Sequence, residues 1–147
     1  KMKTFVYVYG YLPMFQSSRN FLSNYFEHIN KAYSENQYFM HDEKRRAFYP
    51  TYEDENGTYI LSSNILNALY EAASMINKKV DYLILNGLCI EKDVFSKVVS
   101  AFLEMRTCYM DNSKVEELNE FINSIGDAPK DKGFLYKETV YRVKDYE

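Results

Sequence analysis

Tryptophan is absent from these 147 residues, and histidine and cysteine occur only twice each. Two cysteines, Cys89 and Cys108, cannot build a disulfide framework and lack CxxC spacing, which excludes a stapled secreted scaffold and points to a reducing, cytoplasmic setting. His28 and His41 fall in different segments and are too few for a His-based metal site. No apolar run reaches the roughly 18 residues of a spanning helix, and the N-terminus lacks signal-peptide order, so a soluble chain with no membrane partner is expected. A net charge of -3 and a pI near 5.5 give no global attraction to nucleic acid or anionic lipid. Only a local patch, Lys44-Arg45-Arg46, could meet phosphate; otherwise it is a solvated turn. There is also no HExxH zinc helix, GxSxG elbow, P-loop or Gly-rich dinucleotide loop, and each of these is specific enough for its absence to count.

What is present is aromatic: 17% of the chain, with 15 Tyr and 10 Phe, which suits half-buried sheet positions where a ring packs and a hydroxyl reaches water. A hydrophobic content of 46% against 27% charged, at this length, fits one globular domain spanning residues 1–147. The segment TFVYVY (Thr4 to Tyr9) predicts a central strand covered on both faces. After Gly10 and Pro13 a loop is expected, then a helix capped by Ser17 or Ser18 with the stripe Phe21, Leu22, Tyr25, Phe26 and Ile29. The stretch QYFMHDEKRRAFYPTYEDENGTYILSS predicts two or three strands, with a hairpin at Asn56-Gly57.

From Asn64 the period turns helical through Ile65, Leu66, Leu69, Tyr70, Ala73 and Ile76, ending at Lys78-Lys79. VDYLILNG then reads as a buried strand, and Val94 to Leu103 as a second helix, so residues 58–106 predict a strand-helix-strand-helix unit with a parallel, right-handed crossover. Ser113 and Glu116 form a capping box for a last helix that Gly126 ends, and the tail is expected to finish extended.

Candidate chemistry is sparse. The acidic run Glu53-Asp54-Glu55 reads either as an exposed hairpin end or as paired carboxylates, and Cys89 either as a packed or as a reactive thiol. Strand ends carry more information: Gly10 to Arg19 follow the first strand, Ser62 and Ser63 the hairpin, and Asn86 ends DYLILN. In barrels and open α/β sheets such ends converge on the ligand site.

The order FVYVYGYLPMFQSSRNFLSNYF, then YPTYEDENGTYILSS, then an amphipathic helix and VDYLILNGL resembles the second half of peptidase family U32, the collagenase-like proteases. The likeness covers roughly residues 4–110, with GFLYKETVY (Gly133 to Tyr141) similar to the segment closing shorter members. Gly10, Leu12, Leu22 and Ser23 stand at the spacing of the family signature, Arg19 matches its usual arginine, and EDENGT is the most specific match. Pro13 and Asn20 stand where the signature has cysteines, and Ser18 replaces its second glycine, so the iron-sulfur cluster that some members hold is not expected and no cofactor is assigned. A family stretch with an ionisable pair aligns with Ile84, Leu85, Asn86 and Gly87, which removes the obvious acid-base couple and leaves the catalytic residues unassigned.

The resemblance implies an α/β fold, a partial (β/α) TIM-barrel-like unit with an inserted β-hairpin. Gly10 would let the backbone turn, and the next helix N-terminus would offer its amides to an anion. A whole barrel takes about 250 residues, so a fragment of a longer protein is expected, whose open sheet edge must pair, be covered or form a homo-oligomer. The substrate-binding candidates on this reading are Gly10, Gln16, Arg19, Ser23, Asn24 and Asn86. Three functions follow: part of a U32-type peptidase acting on a polypeptide; a non-catalytic or accessory subunit that pairs with a cysteine-bearing U32 paralogue in tRNA wobble-uridine hydroxylation, with RNA as substrate; or a module binding a small anion at Gly10 to Arg19.

Overall fold

The computed structural model describes residues 2–34 and 37–138. The elements are β1 (Phe5–Gly10), β2 (Pro13–Ser17), α1 (Phe21–His28), β3 (Tyr38–Asp42), β4 (Ala47–Asp54), β5 (Gly57–Leu61), β6 (Ile65–Asn67), α2 (Leu69–Asn77), β7 (Tyr82–Leu85), α3 (Lys92–Cys108), α4 (Asn112–Ser124) and β8 (Lys130–Asp131). The class is mixed α/β with two four-stranded sheets, ordered β7-β1-β6-β8 and β2-β5-β4-β3, and neither closes into a barrel. None of the helices among the described residues is long and apolar enough to cross a membrane.

One kinked ribbon links the two sheets. β1 pairs antiparallel with β6, and β2 antiparallel with β5, so the same two stretches of chain run side by side through both sheets. The kink falls at residues 10–12 on one stretch and 62–64 on the other. There the Leu12 amide donates to Ser62 Oγ (2.9 Å), the Ser62 amide donates to the Leu12 carbonyl (2.8 Å), and the Ser62 hydroxyl donates to the Asn64 carbonyl (2.7 Å). Backbone groups that the kink pulls off both ladders are satisfied in this way. Gly10 turns with φ +113°, and a Cβ there would lie 2.2 Å from the Asn86 carbonyl oxygen, so the position excludes any side chain.

Several expectations change at this kink. The segment after Gly10 is a strand, β2, because its ladder partner β5 lies alongside; Pro13 sits at its first position, where a missing amide is tolerated. Ile65 and Leu66 are likewise in strand β6, held by Tyr9 opposite Asn67 and Gly10 opposite Leu66, and the helix begins only at Leu69. The expected parallel crossover from TYILSS to VDYLILNG is therefore absent. β5 belongs to the other sheet, and β6 runs opposite to β7, since β1 is antiparallel to one and parallel to the other. The parallel pairing of β7 with β1 itself is present.

α2, α3 and α4 pack on the first sheet around a core of Val8, Tyr9, Leu69, Val98, Phe102, Met105, Val115 and Ile122. Burying each such aliphatic side chain contributes about 1.5–3 kcal/mol. The other face of this sheet is open at the start of β1: Phe5 and Tyr7 are exposed, and Phe5 stacks on Tyr82 with centroids 4.8 Å apart. The first strand is thus covered on both faces only in its second half. The hairpin at Asn56-Gly57 forms with Glu55 and Asn56 as its loop and Gly57 at φ +117°. α4 is capped by Asp111, whose carboxylate accepts from the Lys114 amide (3.2 Å), rather than by Ser113, which lies two residues further on, inside the helix. The expected extended tail lies outside the described residues.

Asn67 joins sheet to helices. Buried on β6, it donates through Nδ2 to Asn119 Oδ1 (3.1 Å) and Asn123 Oδ1 (2.8 Å) on α4, and its Oδ1 accepts the Leu69 amide at the start of α2 (3.3 Å). Asn67→Ala leaves the buried Leu69 amide without this partner and removes both bonds to α4; the expected cost is about 1–3 kcal/mol, measured by chemical denaturation.

Candidate functional site

Two cavities open at the C-terminal end of β1. The outer is a groove of about 570 Å3 whose one wall is the β3–β4 hairpin (Phe39, Arg45, Arg46, Phe48) and whose other wall is Tyr11, Ser63, Asn64 and the loop at Asp127, Ala128 and Pro129. The other is a half-open chamber of about 150 Å3, bordered by the exposed Glu91 and Asp127, that shares Tyr11 with the groove. Periodicity alone could not foretell either, because their walls come from segments some eighty residues apart.

The hairpin wall combines charge with open rings. Phe39 and Phe48 are each more than half exposed, at 51% and 57%, and His41 stacks on Phe48 at 4.4 Å. Asp42 builds the turn by accepting from the Lys44 (3.0 Å) and Arg45 (3.2 Å) amides, and its carboxylate lies 3.8 Å from Arg45 Nε. Arg46 sits in left-handed backbone at φ +51°. Both arginines are exposed and line the groove, which also carries Asp127, while Arg45 keeps its contact with Asp42.

Beside Glu91, Asp127 and Lys130, the chamber is lined by the uncharged Tyr9, Tyr11 and Cys89. Burial pushes the Tyr9 hydroxyl up to about 12, with the neighbouring Tyr11 adding to the rise. Tyr11 and the Cys89 thiol are also raised, chiefly by burial. A thiol held protonated is a weak nucleophile, so Cys89 is a packed rather than an activated cysteine. Among the described residues no group of three or more His, Cys, Asp or Glu side chains is placed to hold a metal ion.

The residues singled out from sequence fall in three places. Gly10 and Asn86 come together where β1 and β7 end, and Asn86 is engaged there: its Nδ2 donates to the Tyr11 carbonyl (2.9 Å) and its Oδ1 accepts the Leu88 amide (3.1 Å). Gln16 lies exposed on β2 and donates to the Tyr59 hydroxyl (3.0 Å). Arg19, just before α1, and Asn24, within it, are exposed, while Ser23 donates through its hydroxyl to Glu53. None of the six lines the groove or the chamber.

Glu53 was read as part of a hairpin end or an acidic pair; it is the cap of α1. Its carboxylate accepts from the Leu22 (2.9 Å) and Ser23 (3.2 Å) amides, from the Ser23 hydroxyl, and lies 2.8 Å from the Thr58 hydroxyl. Neither Ser17 nor Ser18 caps the helix; Ser17 Oγ instead accepts the Arg19 amide (3.2 Å). The helix N-terminus expected to receive an external anion therefore holds one supplied by β4.

With this geometry established, comparison with known proteins gives the chain its family. A family model described as peptidase family U32 matches residues 1–144. The chain belongs to peptidase family U32. A Bacillus subtilis (strain 168) protein named tRNA hydroxylation protein P2 is 33% identical over 149 residues, covering 92% of this U32 chain and 48% of the relative. The chain thus spans about half the length of the curated relative it matches. No solved structure gives a significant match.

The Glu53 cap carries a pH signature. Burial alone would raise its carboxyl, but hydrogen bonds from Ser23, Thr58 and the Leu22 and Ser23 amides outweigh it and hold the group below its ordinary 4.5. A lowered folded value means stability that is present above about 4.5 and lost as pH falls through the folded value. Glu53→Gln is expected to cost about 1–2 kcal/mol at neutral pH, and the gap between the two proteins should close in denaturation curves taken at progressively lower pH below that value.

Proposed function

We propose that this U32 chain serves in tRNA hydroxylation as an RNA-contacting part, working with a cysteine-bearing paralogue of the same family. The observation that carries the reading is the groove, in which Arg45 and Arg46 stand beside the exposed rings of Phe39 and Phe48. Guanidinium groups neutralise phosphates, and aromatic faces stack on unpaired bases, each stack contributing about 1–3 kcal/mol. The pairing explains how a chain of net charge -3 could hold a polyanion: the attraction is local. The name of the Bacillus subtilis relative supports the same reading.

A peptidase reading asks more of the residues. Acyl transfer to a side chain needs an activated nucleophile with a base beside it, and here the buried Cys89 thiol is pushed the wrong way. On our reading β1 and β7, parallel neighbours with helices on one side, are two staves of a barrel that a longer family member completes. The active centre, in the cytoplasm, would then be assembled from this half, the rest of the barrel and the paralogue.

Binding of unmodified tRNA, followed by fluorescence anisotropy between 50 and 200 mM salt, tests the groove. Affinity should fall steeply with salt, and an Arg45→Ala/Arg46→Ala double variant should weaken binding and reduce the log-log slope by about 1–2, one phosphate contact per arginine. Phe39→Ala should weaken binding without changing the slope. Salt-independent binding, or a double variant indistinguishable from the parent, overturns the proposal. Gelatin cleavage by the chain, lost on Cys89→Ala, would restore the peptidase reading.

A further inference from the structure

The two walls of the groove differ in what they offer a polyanion. On the hairpin wall are cations and open rings: Arg45, Arg46, Phe39 and Phe48. On the opposite wall, built where the ribbon kinks, are Tyr11, Ser63 and Asn64, with Asp127 beside them. A phosphate is attracted to the first wall; the second meets it with neutral groups and a carboxylate that repels it. An RNA strand in this groove therefore lays its backbone along the hairpin and turns its bases towards the kink.

The kink wall has hydrogen-bonding groups to spare. Ser62 is occupied in closing the kink, where its hydroxyl oxygen accepts the Leu12 amide and donates to the Asn64 carbonyl, but the Ser63 hydroxyl has no partner among the described residues. Tyr11 is the more telling. It is 6% exposed and packs in the core, yet its hydroxyl bonds to no described group. Among the described residues the Tyr9 hydroxyl is the side-chain polar atom both unpaired and sealed from solvent, so the unpaired Tyr11 hydroxyl lies in the small part of that residue still open. Tyr11 lines the groove and the chamber, so whatever enters there meets that hydroxyl. Burial raises its ionisation above the ordinary 10.0, and the neutral phenol both gives and takes a hydrogen bond.

We propose that the Tyr11 hydroxyl hydrogen-bonds the edge of one unpaired base seated in the groove, which makes Tyr11 a specificity-determining residue where Arg45 and Arg46 supply affinity alone. The inference rests on the RNA reading above and adds to it which wall discriminates. The ring is held by the core, so the hydroxyl is in place before the base arrives and little is lost in ordering it.

Fluorescence anisotropy with five ten-nucleotide RNAs tests it: abasic strands carrying a central run of three A, C, G or U, and a wholly abasic strand that offers the backbone alone. With the parent chain, one run is expected to bind about three- to tenfold tighter than the rest, the worth of one hydrogen bond, and the wholly abasic strand weakest. Tyr11→Phe should bring the favoured run down to the level of the others. Its affinity for the abasic strand, its salt slope and its melting temperature should equal the parent's, because the lost hydroxyl had no partner in the fold. The Arg45→Ala/Arg46→Ala variant should weaken all five strands by a similar factor and keep their order. The proposal is overturned if the parent binds the four runs equally, if Tyr11→Phe keeps their order, or if that variant melts well below the parent, which would mean that the hydroxyl is already bonded within the fold. Salt-dependent binding without a ranking sinks this inference alone; no binding of any strand or of tRNA sinks the RNA reading with it.

Discussion

The reciprocal hydrogen bonds between Leu12 and Ser62 are the constraint on which this architecture depends. They allow a two-stranded ribbon to leave one sheet and enter another without stranding its backbone groups. Gly10 makes the same passage sterically feasible, because its missing Cβ leaves room for the Asn86 carbonyl. Once the ribbon is bent, each half recruits its own strands: β7 and β8 on one side, β3 and β4 on the other. The groove is the space left between them.

The second sheet is organised around a single carboxylate. Glu53 gathers the first amides of α1, the Ser23 hydroxyl and the Thr58 hydroxyl, so one acid sets both where the helix starts and how it lies on β4 and β5. Gly57 completes the joint, since a Cβ there would lie 1.9 Å from the Ser17 carbonyl oxygen. With its helix dipole and amides satisfied from within, this end of the molecule has little left to offer an anion. The exposed positive charge lies instead on the β3–β4 turn, where Asp42 fixes the backbone that carries Arg45 and Arg46.

Much of this was legible in the residues. The helices α3 and α4, strand β7 and the hairpin near Asn56-Gly57 follow from periodicity and turn chemistry, which are local. The misreadings share a cause. Gly10 and Pro13 look like a loop, and Ile65 and Leu66 look like helix, until a ladder partner about fifty residues away is in place to hold them extended. The same holds for Glu53, whose charge beside a turn gives no hint that the amides it binds lie thirty residues earlier. Lys44-Arg45-Arg46 could be singled out as a patch, but not its pairing with Tyr11 and Asp127 across a groove.

The kinked ribbon also sets the width of the cleft. The opposing walls of the groove belong to different sheets joined through this narrow neck, so the bend at residues 10–12 and 62–64 sets the spacing of Phe39 and Phe48 from Asp127. The cleft is therefore shaped by the bend of one ribbon rather than by the packing of the core.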